Sequence, residues 1–244
     1  MTIKILVNGA FGRMGQMTVK AISEHPGFTL VGQTGREYDL KKAIRDSQAQ
    51  VVIDFTSSQS VYANVLTIIE AGVHPVIGTS GLLHDQVLTL KERCANLKLG
   101  GIIAPNFSLG AVLMMKYAKE IAKYMPQVEV IEMHHDGKID SPSGTAMRTA
   151  EMLAEANDSI NQPRKSSHEN VPGARGANYH GIPIHSIRLP GFLAHQQIIF
   201  GNTGETLMLQ HNSIDRQCFM PGVCLACEKV VNLDKLIYGL EEIL

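Results

Sequence analysis

Short apolar runs alternate with stretches of helical period through about the first hundred residues. From Ile3 to Val7 the chain is apolar around one lysine and ends in glycine, the pattern of a buried strand entering a tight turn. From Met14 to Ile22 apolar residues recur at helical spacing, and Pro26-Gly27 stops that helix. Phe28 to Gly32, Val51 to Phe55, Pro75 to Thr79 and Gly101 to Ala104 read as further strands, with helices over 60 to 71 and from Asp85 to Asn96. Such alternation with short connections predicts an α/β fold, a Rossmann-like doubly wound parallel sheet over residues 1–106. Ligands then belong at the carboxyl ends of the strands, where Gly, Thr, Ser, Pro and Asn recur.

After Asn106 the rhythm changes. A helix from Ser108 to Tyr124 leads to an alternating strand from Val128 to His134, and a second helix runs from Thr145 to Ala156. A polar stretch over 157–178 precedes strands from Ile184 to Arg188, Ala194 to Phe200 and Glu205 to His211. An inserted α+β domain with a mixed sheet over 107–215 accounts for this order. Residues 216–244, read as a helix from Pro221 to Leu240, return to the first domain.

Composition narrows the class. The formal charge is -1 and hydrophobic residues make up 44%, so no global charge directs the chain to nucleic acid or an anionic membrane. No apolar run approaches the roughly 18 residues of a membrane span, and no export signal opens the chain, so a cytoplasmic location is expected. Four cysteines are too few for a disulfide framework in a chain this long, and Cys224 and Cys227 read as small apolar residues of one helix.

The loop Gly9-Ala10-Phe11-Gly12-Arg13-Met14-Gly15 spaces glycines as GxxGxxG between a strand and a helix. One glycine permits the turn, another lets backbone approach a pyrophosphate, and the last allows close helix packing; helix-start N–H groups then meet the phosphates. At the end of the second strand, where a carboxylate would hold the ribose hydroxyls, the chain has Gly35-Arg36. Without that carboxylate a 2'-phosphate is not repelled, and Arg36 is suited to pair with it.

The densest chemistry lies from Glu132 to Ala146. It holds His134, His135 and Lys138, followed by Ser143-Gly144-Thr145 at a helix start, where N–H groups and hydroxyls suit a carboxylate. Adjacent strand residues point apart, so His134 and His135 take separate tasks, one of them proton donation. With no HExxH and no clear third ligand, the pattern gives no metal site.

Together these motifs resemble the 4-hydroxy-tetrahydrodipicolinate reductases, also called dihydrodipicolinate reductases, of lysine and diaminopimelate synthesis. The resemblance spans nearly the entire chain and is most specific in Glu132-Met133-His134-His135 through Lys138 and in Ser141 to Ala146. It implies reduction of a small cyclic dicarboxylate by NADPH or NADH. It makes His134 the acid, Lys138 a catalytic and substrate-binding cation, and His135, Ser143, Gly144 and Thr145 substrate ligands. Further matches make Phe55, Thr56, Gly78, Thr79, Ser80, Ala104, Pro105, Asn106, Phe107 and Arg216 cofactor contacts beside the glycine loop, Gly35 and Arg36. It also implies a homotetramer built through the inserted sheets, and it leaves Arg175 to structure or assembly. Two alternatives stay open on the residues alone: another two-domain NAD(P)-dependent reductase, and a dinucleotide sensor without turnover.

Some relatives carry a carboxylate before the arginine where this chain has Gly35, which weakens transfer of an NADH preference. Steady-state titrations with each coenzyme are expected to give a KM for NADPH no higher than that for NADH. A strong NADH preference abolished by changing Glu37 would overturn this reading.

Overall fold

The structure, a computed structural model, describes residues 2–162 and 168–244, so part of the polar stretch 157–178 lies outside the described residues. The chain divides into two compact units, Met1–Ser108 with Arg216–Leu244, and Leu109–Asp215.

In the first unit β1 (Ile3–Asn8), α1 (Arg13–Glu24), β2 (Phe28–Thr34), α2 (Leu40–Ser47), β3 (Val51–Asp54), α3 (Val61–Glu70), β4 (His74–Ile77), α4 (His84–Leu97) and β5 (Gly101–Ile103) follow in order. The second unit contains α5 (Leu109–Ala122), β6 (Gln127–His134), α6 (Gly144–Ala156), β7 (Ala177–Tyr179), β8 (Ile182–Arg188), β9 (Ala194–Asn202) and β10 (Glu205–Ser213). The chain then re-enters the first unit through a 3-10 turn, Arg216–Phe219, α7 (Met220–Val230), β11 (Leu236–Tyr238) and a final 3-10 turn.

The first sheet is six-stranded and wholly parallel, in the order β11-β5-β4-β3-β1-β2. Its strands are apolar on both faces because both are covered. Leu6, Val52, Ile77 and Ile103 pack with Val65, Ile68 and Leu90 from α3 and α4, while α1 and α7 cover the other face.

Three elements differ from expectation, one being β7, whose Ala177–Tyr179 lie at the end of the stretch read as polar and pair antiparallel with residues 182–184. Helix α2 is absent from the pattern reading because its apolar side is just Leu40, Ala43 and Ile44; its cap, Asp39, accepts a hydrogen bond from Lys42 N at 3.0 Å. The long C-terminal helix ends at Val230, and Leu236–Tyr238 pairs in parallel with Gly101–Ile103. Three apolar residues carry no period, and the open edge of β5 that orders them exists only in the folded sheet.

The second sheet is five-stranded and mixed, in the order β10-β9-β6-β8-β7. Its β6–β8 pair is parallel, whereas β6–β9, β9–β10 and β7–β8 are antiparallel. One face packs Val128, Val130, Ile184, Ile198 and Phe200 against Ala118 and Ala122 of α5 and Ala146, Ala150 and Leu153 of α6. No helix among the described residues is long and apolar enough to cross a membrane.

Packing at the start of α1 is closest at Gly15, where an added Cβ would stand 2.0 Å from the Gly9 carbonyl oxygen and 2.7 Å from Ala10 Cα. Both neighbours are backbone and cannot rotate aside. Gly15→Ala is therefore expected to lower unfolding free energy by about 1–3 kcal/mol, the usual scale of overpacking, in denaturant titrations. Wild-type stability would contradict this close approach.

Candidate functional site

The candidate residues form one cluster in each unit. In the first, β1 hands the chain to α1 through Gly9, whose φ of +81° and position beside the Phe55 carbonyl suit glycine. The N–H groups of Gly9 and Ala10 both donate to Thr34 O, at 2.9 and 3.0 Å, so they hold the loop onto β2. Ala10 is buried, which leaves its side chain no surface for a ligand. The N-cap Gly12 has no side chain to cap α1, so Arg13 and Met14 bring first-turn N–H groups to its start. Phe11 lies against Gly35 and stacks with Tyr38 at a ring-centroid distance of 5.7 Å; Arg13 and Arg36 are exposed.

At the neighbouring strand ends the organising group is Asp54, which is fully buried. Its Oδ1 accepts from Thr56 N, Thr56 Oγ1 and Thr79 Oγ1, at 3.2, 2.7 and 2.5 Å. Its Oδ2 accepts from Asn8 Nδ2 at 2.8 Å and Asn64 Nδ2 at 2.9 Å. Asn8 Oδ1 in turn accepts from Thr34 Oγ1 at 2.9 Å, so the ends of β1, β2, β3 and β4 are tied into one network. Phe55 and Phe107 meet edge to face at 5.8 Å, with Gly78 between them; a Cβ there would stand 2.1 Å from the Phe55 ring. Phe107 and Ala104 are buried, whereas Ser80 and Pro105 are exposed. Asn106 Oδ1 accepts from Ser108 N at 2.8 Å, and Arg216 opens the 3-10 turn before α7.

The second cluster sits where β6 ends. His134 is the last residue of that strand, and its Nδ1 donates to Glu132 Oε2 at 2.5 Å. Glu132 is fully buried, and Arg188 grips it as a fork, Nη1 to Oε2 at 2.9 Å and Nη2 to Oε1 at 2.7 Å. Ser143 N also donates to Glu132 Oε1, at 3.2 Å. Burial pushes the Glu132 carboxyl up, but hydrogen bonds from His134, Arg188 and Ser186 outweigh it and bring the pKa down to about 2.

Beyond β6, Lys138 Nζ donates to Asp140 Oδ1 at 2.6 Å, which holds the Asp140 carboxyl below its ordinary range. The Ser141–Pro142 peptide is cis. Ser143 caps α6, its Oγ accepting from Ala146 N at 3.2 Å, so Gly144 and Thr145 form the first turn. His134, His135, Lys138, Ser143, Gly144 and Thr145 therefore occupy one continuous strand-end, loop and helix-start segment. The sequence assigns no role to Glu132, Asp140 or Arg188, and of Asp54's donors it marks Thr56 and Thr79 but neither Asn8 nor Asn64. Glu132 lies inside the motif, but nothing in the local pattern of Arg188, 56 positions away, marks it as that carboxylate's partner.

Among the described residues no group of His, Cys, Asp and Glu side chains is arranged to hold a metal ion. Cys224 and Cys227 are free, and burial raises both thiols above their ordinary range.

Comparison with known proteins covers both units. Residues 3–107 match the model of the dihydrodipicolinate reductase N-terminus, and residues 110–244 match that of its C-terminus. A 4-hydroxy-tetrahydrodipicolinate reductase of Coxiella burnetii (strain RSA 493 / Nine Mile phase I) is 52% identical over 244 residues, with 100% of both chains covered. One from Legionella pneumophila subsp. pneumophila (strain Philadelphia 1) is 52% identical over 246 residues, again with 100% of both covered. Among solved structures, dipicolinate-bound dihydrodipicolinate reductase from Paenisporosarcina sp. TG-14 superimposes with a TM-score of 0.90 at 40% identity, covering 100% of each chain. The chain belongs to the dihydrodipicolinate reductase family.

Proposed function

We infer that the chain reduces 4-hydroxy-tetrahydrodipicolinate to tetrahydrodipicolinate with loss of water, using NADH or NADPH, in diaminopimelate and lysine synthesis. The observation that carries this is the end-to-end match to reductases of that substrate at 52% identity. The strand-end cluster around His134 and Lys138 supports it with groups for one proton and two carboxylates.

The first unit fits a nicotinamide dinucleotide: Gly9, Gly12 and Gly15 keep side chains out of the loop, and the α1 start is uncapped by any side chain. When bound, the coenzyme supplies the hydride. We assign the dinucleotide to residues 1–106 and 216–244, and the substrate to 107–215. Gly9 to Gly15 receive the pyrophosphate, with N–H groups of Arg13 and Met14 directed to it. Gly35 and Arg36 receive the ribose end. Phe55, Thr56, Gly78, Thr79, Ser80, Ala104, Pro105, Asn106, Phe107 and Arg216 line the nicotinamide end, backbone serving where Ala104 and Phe107 bury their side chains.

In the second unit Lys138 and the first turn of α6, Ser143-Gly144-Thr145, hold the carboxylates of the cyclic substrate, and His135 assists. Because Ser143 Oγ already caps the helix, backbone N–H groups and Thr145 carry the polar contacts there. His134 donates the proton that the ring takes up as its electrons shift. Lys138 exchanges Asp140 for a substrate carboxylate.

The face of the mixed sheet turned away from α5 and α6, with Met208 opposite Ile199 and Ile131 opposite Gln197, is the surface through which we propose a homotetramer. Glu129 on this face accepts from both Arg175 Nη2 and His185 Nε2 and anchors the loop carrying Arg175. A cytoplasmic location accords with a substrate and coenzymes of central metabolism.

Oxidation of NADH and of NADPH, followed at 340 nm with enzymatically generated substrate, tests the activity. His134→Gln is expected to lower kcat by about 10²-fold or more, the scale of general-acid catalysis, with little change in KM. Lys138→Ala is expected to lower kcat and raise KM together. An unchanged kcat in the first variant removes His134 as the acid; coenzyme binding without turnover in the wild type would favour a sensor. Light scattering is expected to return four times the chain mass, and a monomer would refute the assembly.

A further inference from the structure

We infer that Glu132 and Arg188 are positioning residues for the reduction: their buried pair fixes which nitrogen of His134 gives up the proton and holds the carboxylate-binding segment in place. The inference rests on the proposed role of His134 and extends it to two residues outside the substrate-contacting set.

The geometry begins with strand direction. In the parallel β6–β8 pair His134 stands opposite Arg188, so both strands deliver their carboxyl ends to the same place. Arg188 reaches back to Glu132 with both Nη atoms, and its Nη2 also donates to the Asp140 carbonyl at 2.7 Å. Glu132 meanwhile accepts from His134 Nδ1 and from Ser143 N. One carboxylate–guanidinium pair thus ties the end of β6, the end of β8, the loop bearing Lys138 and the cap of α6.

Stability alone does not account for this arrangement. A buried ion pair is often matched or exceeded in stability by well-packed apolar side chains of similar volume. Apart from Ser186 on the neighbouring strand, the pair's tertiary partners are His134, Ser143 N and the Asp140 carbonyl, all in the segment assigned to substrate.

The chemical consequence concerns the imidazole. A carboxylate accepts and cannot donate, so Glu132 keeps a proton on Nδ1 and leaves Nε2 as the nitrogen that gains and loses one. In the reaction the Nε2–H bond breaks, its electron pair stays on Nε2, and the proton passes to the substrate ring. The neutral imidazole that remains is the Nδ1–H tautomer already hydrogen-bonded to Glu132, and a proton from solvent restores it.

Glu132→Gln replaces an acceptor with an amide able to donate to Nδ1, which favours the opposite tautomer. Nitrogen-15 NMR of histidine-labelled protein, assigned with His134→Gln, is expected to show neutral His134 as Nδ1–H in the wild type and shifted toward Nε2–H in Glu132→Gln. The same variant is expected to lose about 10-fold or more in kcat, with coenzyme KM within about twofold of wild type. Arg188→Lys keeps the charge but loses the fork; pyridine-2,6-dicarboxylate is expected to bind it about tenfold more weakly by calorimetry. A wild-type His134 in the Nε2–H form overturns the inference without any variant. Wild-type tautomer and kcat in Glu132→Gln, or losses that follow melting temperature alone in both variants, also overturn it. A wild type inactive on the hydroxylated substrate counts against the reductase reading, whereas the tautomer measurement answers the Glu132 question separately.

Discussion

Removing a carboxylate from water costs several kcal/mol unless hydrogen bonds or an opposite charge replace the lost hydration. Among the described residues Asp54 and Glu132 are the fully buried acids, one in each unit and both at a strand's carboxyl end. They are solved differently. Asp54 is met by neutral donors from four residues on the surrounding strand ends and α3. Glu132 is met by a guanidinium, an imidazole, the Ser186 side chain and a backbone N–H. In each case some of the donors belong to segments bearing candidate site residues, Thr56 and Thr79 for Asp54 and His134 and Ser143 for Glu132, so satisfying the carboxylate also fixes those segments.

Sheet direction decides where such a network can form. In a parallel sheet all carboxyl ends emerge along one edge, and the first unit uses that edge for Gly9, Phe55, Gly78 and Ala104. The second sheet is mostly antiparallel and has no such common edge. Its parallel pair, β6 with β8, recreates one locally, and His134, Glu132 and Arg188 occupy it. The second candidate cluster is therefore built where two hydrogen-bonded neighbours of that sheet end together.

The α/β class, the glycine loop and the His-His-Lys segment were legible in the sequence because local features encode them: apolar period, turn glycines and a capped helix start. Five features were not, one being β7, three residues at the end of a polar stretch. Helix α2 carries too narrow an apolar side, and β11 is three residues ordered by an edge formed elsewhere in the chain. The donors to Asp54 come from residues 8, 56, 64 and 79, and Arg188 reaches Glu132 only because β8 lies beside β6. The sequence therefore reveals the candidate ligand-contacting groups more readily than the groups that hold them, since the latter depend on tertiary neighbours.

Lys138 shows the complementary principle. Its partner Asp140 is two residues away, with a side chain 62% exposed, whereas the Glu132 side chain opposite Arg188 is 0% exposed. An exposed ion pair contributes about 0–1 kcal/mol because water and ions screen it. Exchanging Asp140 for another carboxylate therefore costs Lys138 little, while breaking the Glu132–Arg188 pair would strand a charge out of water at several kcal/mol. Identical chemistry, an acid beside a cation, thus yields a replaceable contact at the solvent edge and a permanent one beneath it. That gradient of exposure is what the proposed exchange at Lys138 requires: a cation that can be released while the histidine beside it stays held.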